Sequence, residues 1–161
     1  MIFKNGFFID GLIQYSTFYL HNYPVLYQGG AAGIRVGNKW YFGNWRNYRL
    51  GINVIWGRTN LILITDNYSL YPFLMVAPLN IGWTNTFSFT EDMGLELNIN
   101  LGFNLIVGYD FNAGYLINPV LKFRYNSFAV GLDIAIINGN TLNAQNHSLF
   151  TLVGLTVGGK F

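Results

Sequence analysis

Hydrophobic and polar residues alternate with period two over long stretches of this chain, the pattern of strands whose two faces meet different surroundings. The clearest stretch places Leu95, Leu97, Ile99, Leu101, Phe103, Leu105, Val107 and Tyr109 on one face. Glu96, Asn98, Asn100, Gly102, Asn104, Ile106 and Gly108 fall on the other. The same alternation recurs in Tyr48, Leu50, Ile52, Val54 and Trp56, and again in Phe128, Val130, Leu132, Ile134 and Ile136. Both ends of the chain carry weaker versions, with Phe8 and Leu12 near the start and Phe150 and Leu152 near the end making the second face only partly polar. Turns placed where alternation stops predict eight strands, over 6–16, 31–42, 47–64, 70–88, 95–110, 114–125, 127–138 and 148–161. An even number brings both termini to one side. That side has short connections at 43–46, 90–94 and Asn126, and the other has two long ones, at 17–30 and 138–147.

Size decides which face points inward, because an eight-stranded barrel has room inside only for packed side chains. Gly51, Gly82, Gly102, Gly108, Gly131, Gly154 and Gly158 lie on the polar face, while Leu, Ile and aromatic residues fill the other. The polar face is therefore expected inside and the apolar face against hydrocarbon. A soluble lipocalin-like barrel is the converse arrangement. Hydrocarbon offers no partner to a free backbone N–H or C=O, so a lipid-facing sheet has to close on itself. The expected fold is all-β: a closed eight-stranded antiparallel up-and-down transmembrane β-barrel, with residues 1–161 as one domain.

Aromatic residues fall at the two ends of the apolar face, as in the girdles of membrane barrels. Phe7, Trp40, Phe42, Tyr48, Phe87, Phe123, Tyr125, Phe128 and Phe161 lie at the short-turn end. Tyr15, Trp56, Phe73, Tyr109 and Tyr115 lie toward the other. Three features resist the scheme. Pro78 and Pro119 fall inside predicted strands although proline cannot donate to a ladder, and Leu74 and Val76 point inward in this register. A β-bulge at either proline would shift the phase.

Composition narrows the alternatives. The 161 residues are 52% hydrophobic and only 10% charged, against roughly 25% charged in an average soluble domain. A bilayer-spanning helix needs about 20 mainly apolar residues, and the charge-free stretch 67–90 is interrupted by Pro72, Pro78, Asn80, Gly82 and Asn85. A net charge of +2 from scattered residues offers no basic stripe for nucleic acid. Absence of cysteine excludes disulfide and thiolate-metal scaffolds. The opening Met-Ile-Phe-Lys-Asn-Gly lacks the pattern of a secretory signal, so an exported protein of this sequence is expected to be a mature form bearing a start methionine.

With eight such strands, the chain resembles the small eight-stranded bacterial outer-membrane barrels of OmpA and OmpX type. The most specific element is the terminal segment Gly154-Leu155-Thr156-Val157-Gly158-Gly159-Lys160-Phe161. Its Gly154, Leu155, Val157 and final Phe161 look like the signal by which such barrels reach their assembly machinery, although Gly159 stands where a larger apolar residue is often found. The resemblance implies an outer-membrane location, periplasmic termini and longer loops outside the cell. It implies outer-membrane lipids and lipopolysaccharide as surroundings, and the barrel assembly machinery as a partner in biogenesis. Another outer-membrane protein is a further candidate partner.

Charges that the pattern turns inward are Asp10, Arg35, Lys39, Arg49, Glu96, Asp110, Lys122, Arg124, Asp133 and Lys160. Counting around the turns places Lys39 opposite Arg49 and brings Glu96 near Lys122 or Arg124, with Asp10 and Glu96 reaching across the lumen. An ion-paired interior that blocks flow is expected; a narrow pore is the alternative. Lipid A deacylase and palmitoyltransferase barrels use Ser and His, but only His21 and His147 are present, and adjacent His147 and Ser148 would point to opposite faces. Isolated acids and two distant histidines lack the ligand spacing of metal sites. No catalytic, metal or cofactor-binding residue is therefore assigned. The expected function is a non-enzymatic barrel that is structural or binds through its loops, or serves as an accessory subunit of a membrane complex; a narrow pore for small solutes or ions and a lipid A-modifying enzyme are the alternatives.

Overall fold

Eight extended segments account for nearly all of the described chain: β1 (Gly6–Leu20), β2 (Tyr23–Trp45), β3 (Tyr48–Thr65), β4 (Leu70–Ser88), β5 (Met93–Val107), β6 (Phe111–Tyr125), β7 (Phe128–Thr141) and β8 (His147–Lys160). They come from a computed structural model that describes residues 5–20, 23–45, 47–65, 69–108, 111–141 and 147–161. Each strand pairs antiparallel with its sequence neighbour, and β1 pairs with β8, so the sheet closes into an up-and-down barrel. Closure runs from Phe8 opposite Lys160 to Leu20 opposite Ser148. It is completed beyond the strand end by Phe7 and Phe161, which exchange backbone hydrogen bonds of 3.1 and 2.8 Å.

The alternation that decides inside from outside holds in β5. Leu97, Ile99 and Leu101 are exposed, Leu101 by 57%, whereas Asn98 and Asn100 are buried at 2% and 1%. Asn126 alone among the described non-glycine residues has positive φ, at 51°. It makes the tight β6–β7 bend, where an Asn side chain tolerates the left-handed region.

Strand lengths depart from expectation at the end away from the termini. The connection expected at 17–30 is largely strand, with Thr17 opposite Gln28, Phe18 opposite Tyr27 and Tyr19 opposite Leu26. Gly29 and Gly30 read as turn residues in the sequence. In the barrel a Cβ on Gly29 would run into the backbone of Leu63 and Ile64, so this glycine permits close strand approach. Likewise β7 runs to Thr141 and β6 begins at Phe111. His21, Tyr109 and Asp110 lie outside the described residues.

The expected register fails in β3 and β4 for one shared reason. Ile55 pairs with Asn80 and Arg58 with Ala77, leaving Trp56 and Gly57 opposite Leu79 and Pro78 without a bridge. Pro78 has no N–H to donate, and the ladder opens there. The register against the outer neighbours shifts at the same place, between Val36 and Gly37 in β2 and between Val76 and Leu79 in β4. Both strands therefore change phase together. Leu74 is exposed, not inward, and Val76 is only half-buried, while Phe73, Met75 and Ala77 are buried inside. Phe73 accordingly does not belong to the outer girdle. Pro119 has a different solution, since Ile117–Ile136 and Val120–Asp133 keep one register across it. The Asn118 side chain donates to the carbonyl of Ile134, the residue facing Pro119, at 2.6 Å.

Candidate functional site

The buried interior and the exposed wall are the two surfaces on which function can rest. In the half of the bore nearer the termini, three carboxylates organise five cations. Asp10 on β1 takes Arg35 Nη2 at 2.9 Å and Nε at 3.0 Å from neighbouring β2, and Lys122 Nζ at 2.6 Å from β6 across the lumen. Asp133 on β7 takes Arg35 Nη1 at 2.7 Å and Arg58 Nη2 at 3.0 Å, together with amide donors from Gln14 at 2.8 Å and Asn118 at 3.1 Å. Glu96 on β5 pairs with Lys39 of β2 and, at 3.5 Å, with Arg124 of β6. It also accepts from Tyr41 Oη at 2.9 Å and Asn98 Nδ2 at 3.0 Å. All of these charged side chains are at most 2% exposed.

Register explains why the acids must reach across. Arg35 stands directly opposite Arg58, two like charges side by side on β2 and β3, which is unfavourable unless a carboxylate lies between them. Asp133 does so from the far wall. Glu96 stands opposite Lys122 in register, yet pairs with Lys39 and Arg124, leaving Lys122 to Asp10. Small residues make room for this: a Cβ on Gly158 would collide with the Asp10 carboxylate. The void between Phe8, Asp10, Arg35, Lys39 and Lys122 measures about 10 Å³, the room of a single water at most.

Two expectations about these charges are corrected. Lys39 faces Asn53, not Arg49, because β2 runs on through the connection expected at 43–46 to Trp45, which pairs with Tyr48; Arg49 is half-buried. Arg58, fully buried, was missing from the inward set, because simple alternation from Tyr48 turns it outward and only the phase change at Trp56 and Gly57 brings it in. A local signal existed: Arg58 and Asn60 alternate with Thr59 and Leu61 in the phase opposite to the preceding residues.

The other half of the bore is apolar. Phe18, Ala31, Ile62, Ile64, Phe73, Met75, Ala77, Ile106, Leu116, Ala135, Ile137, Phe150 and Leu152 form one buried cluster. Phe18 stacks on Phe150 with centroids 4.1 Å apart, and Phe73 packs on both at 6.0 and 5.9 Å. The bore is thus an ionic layer beneath a hydrocarbon-like plug, a division not expected from the sequence. The inward Ile106, Phe150 and Leu152, which interrupt otherwise polar faces, are its trace there.

Among the described residues, no three His, Asp or Glu side chains come together to hold a metal ion. Ser148 is buried and donates to Asn112 Oδ1 at 3.3 Å and the Gly139 carbonyl at 3.2 Å, while the adjacent His147 faces outward.

On the outside, Phe7, Trp40, Phe42, Tyr48, Phe123, Tyr125 and Phe128 are all exposed, as are Tyr15, Trp56 and Tyr115. Several polar groups on this wall are paired within it. Trp56 Nε1 donates to Asn38 Oδ1 at 2.7 Å, and Tyr48 Oη and Trp83 Nε1 donate to Asn85 Oδ1 at 2.7 and 3.2 Å. In the terminal segment Leu155, Val157 and Phe161 point outward, and Gly154 faces in against the backbone of Ile13 and Gln14. A soluble monomer rarely exposes a contiguous apolar patch beyond a few hundred Å²; here the apolar surface encircles the molecule. A closed sheet with that exterior is built to cross a bilayer.

Solved structures share this architecture. Neisserial surface protein A superposes with a TM-score of 0.59 at 11% identity, covering 99% of this chain and 100% of that one. The fold is that of the small eight-stranded outer-membrane barrels. A looser overlay, with a TM-score of 0.40 at 11% identity, relates the chain to Ail, the attachment invasion locus protein of Yersinia pestis, over 95% of this chain and 98% of that one. No protein-family model matches the sequence, and no curated protein matches it.

Proposed function

We propose that this protein is a non-enzymatic barrel of the bacterial outer membrane that serves as a rigid anchor and acts by binding, not by passing solutes. The observation that carries the reading is the filled bore: a three-carboxylate ionic layer and an aromatic plug lie in series, and the void beside the ionic layer measures only about 10 Å³. In this reading the termini face the periplasm, and the connections of β1–β2, β3–β4, β5–β6 and β7–β8 face outward from the cell. Binding then falls to those outer connections or to the wall against another outer-membrane protein. The wall contacts outer-membrane lipids and lipopolysaccharide, and Gly154, Leu155, Val157 and Phe161 serve as the signal read by the barrel assembly machinery.

Planar bilayers containing the purified protein test the reading. Silence is expected, both for the unmodified protein and for an Arg49→Gln variant. Stable unitary conductance that changes when Arg49 or Glu96 is neutralised would replace the anchor with a pore. Exchange of residues 142–146 for a short Gly-Ser link should leave the barrel folded while removing binding to whole cells or matrix; retained binding would move the site to another outer connection or to the wall.

A further inference from the structure

Charge is unevenly balanced along the bore. Among the described residues, six buried cations (Arg35, Lys39, Arg58, Lys122, Arg124 and Lys160) accompany three buried carboxylates (Asp10, Glu96 and Asp133). The inner pair of acids, Asp10 and Asp133, serves three of the cations through close ion pairs. At the short-turn mouth Glu96 alone faces Lys39, Arg124 and Lys160. A cation taken out of water needs an ionic partner or several hydrogen bonds, and without them the cost is several kcal/mol per ion.

Two of those mouth cations are under-satisfied. Arg124 makes two long contacts, to Glu96 Oε2 at 3.5 Å and to the Ser127 carbonyl at 3.3 Å, and its buried Nε has no partner. Lys160, 7% exposed, has an Nζ with no hydrogen-bond partner and only the Tyr41 ring beneath it, 4.4 Å from the centroid. The two residues are brought together by the β6–β7 turn: the Ser127 carbonyl that accepts from Arg124 also accepts from the Lys160 backbone N–H at 2.9 Å. Arg49 stands half-buried at the same rim and, with Arg124 and Lys39, acts electrostatically on Lys160.

We propose that the short-turn mouth of the bore binds a small inorganic anion, of chloride's size and charge, between Arg124 and Lys160. One negative charge there takes the donors that Glu96 cannot reach and lowers the local imbalance from three cations per anion to three per two. Just deeper in the bore only about 10 Å³ is open, so an ion held at the mouth has no room to extend inward. Gluconate, a bulky organic anion, serves as the contrasting ion in the test.

The test uses the full chain folded in detergent micelles, with chloride exchanged for gluconate at constant ionic strength. The thermal unfolding midpoint should rise with chloride and level off, as binding to the folded state alone requires. Lys160→Gln and Arg124→Gln should each flatten that dependence. A midpoint indifferent to chloride, or a rise of equal size in both variants, would overturn the proposal as a general salt effect. Should either variant fail to fold, crystals of the unmodified protein grown in bromide decide: anomalous density touching both Arg124 and Lys160 supports the site, and an empty mouth rejects it.

Discussion

The two halves of one inward face of β8 obey opposite rules. Thr156 and Leu152 are four residues apart, both point into the bore and both are fully buried. Yet Thr156 lies beside the Arg35 guanidinium, whose Nη2 donates to its hydroxyl at 3.5 Å, and Leu152 lies in the apolar cluster with Phe18 and Phe150. Burial is the same and the surroundings are not. The ionic layer tolerates polarity only as part of a matched set, because each member is held by others reaching across the lumen. The plug tolerates none, since it offers no partner. A barrel whose wall faces hydrocarbon gains little from expelling its apolar side chains outward, so the aromatic plug supplies the packed core that its exterior cannot.

The strongest test of that contrast puts the same charge in both halves. Leu152→Asp should fail to yield a folded barrel, because an unpaired buried carboxylate costs several kcal/mol, a large part of the roughly 5–15 kcal/mol that holds a typical domain together. Thr156→Asp, at the same burial and on the same strand, should fold, its carboxylate meeting Arg35. Folding yield read from the heat-dependent shift in gel mobility compares them directly; equal yields would show that the halves do not differ in polarity.

Next in size is the loss of one acid. Asp133→Asn removes the charge shared by Arg35 and Arg58 and should destabilise the barrel by about 3–5 kcal/mol, the usual cost of breaking a buried pair from one side. Replacing Arg58 and Asp133 together by leucine should cost clearly less than the single change, since the excess cation leaves with its partner. Denaturant unfolding in micelles measures both, and a double variant worse than the single would contradict the picture of a matched set.

How much of this was legible in the sequence follows from where the period of two is preserved. In β5 and β7 it runs unbroken, and Leu97, Asn98, Leu101 and Asp133 stand where alternation places them. In β3 and β4 it is reset by an unpaired step at Trp56–Gly57 and Pro78–Leu79. Proline announces a break but not the direction in which a partner strand adjusts, so Arg58 and Phe73 were turned to the wrong side while Pro78 itself was correctly marked as the trouble. Ionic partners were harder still. Register is a neighbour relation, and Glu96–Lys39 and Asp10–Lys122 span the lumen between strands that share no ladder. Those pairs depend on barrel diameter and side-chain reach, which no linear spacing encodes. The plug was hidden because an apolar residue breaking a polar face reads as noise until several strands place such residues at one level.

A smaller effect is expected within the plug. Phe150→Leu keeps the site apolar but removes ring contacts to Phe18 and Phe73, and should cost about 1–1.5 kcal/mol. The loss should be insensitive to added salt, whereas that of Asp133→Asn should vary with it wherever ions reach the layer; an equally salt-sensitive Phe150→Leu would mean that the plug is wet.

The smallest effect belongs to the wall, which sharpens the comparison from outside. Asn85 is a polar residue on an apolar surface, and it persists because Tyr48 and Trp83 both direct donors to its Oδ1. Asn85→Leu removes one shared acceptor but adds an aliphatic side chain where hydrocarbon is the solvent. Side-chain hydrogen bonds within membranes average about 0.6 kcal/mol, and the added apolar contact offsets part of that. Stability should therefore change by less than about 1 kcal/mol, far below the cost of altering any acid inside the bore. The indole of Trp83 loses its acceptor, so its fluorescence should shift toward the blue even as the unfolding midpoint stays nearly fixed. A large loss of stability would place Asn85 in a structural network rather than on a surface whose polar groups are merely paired.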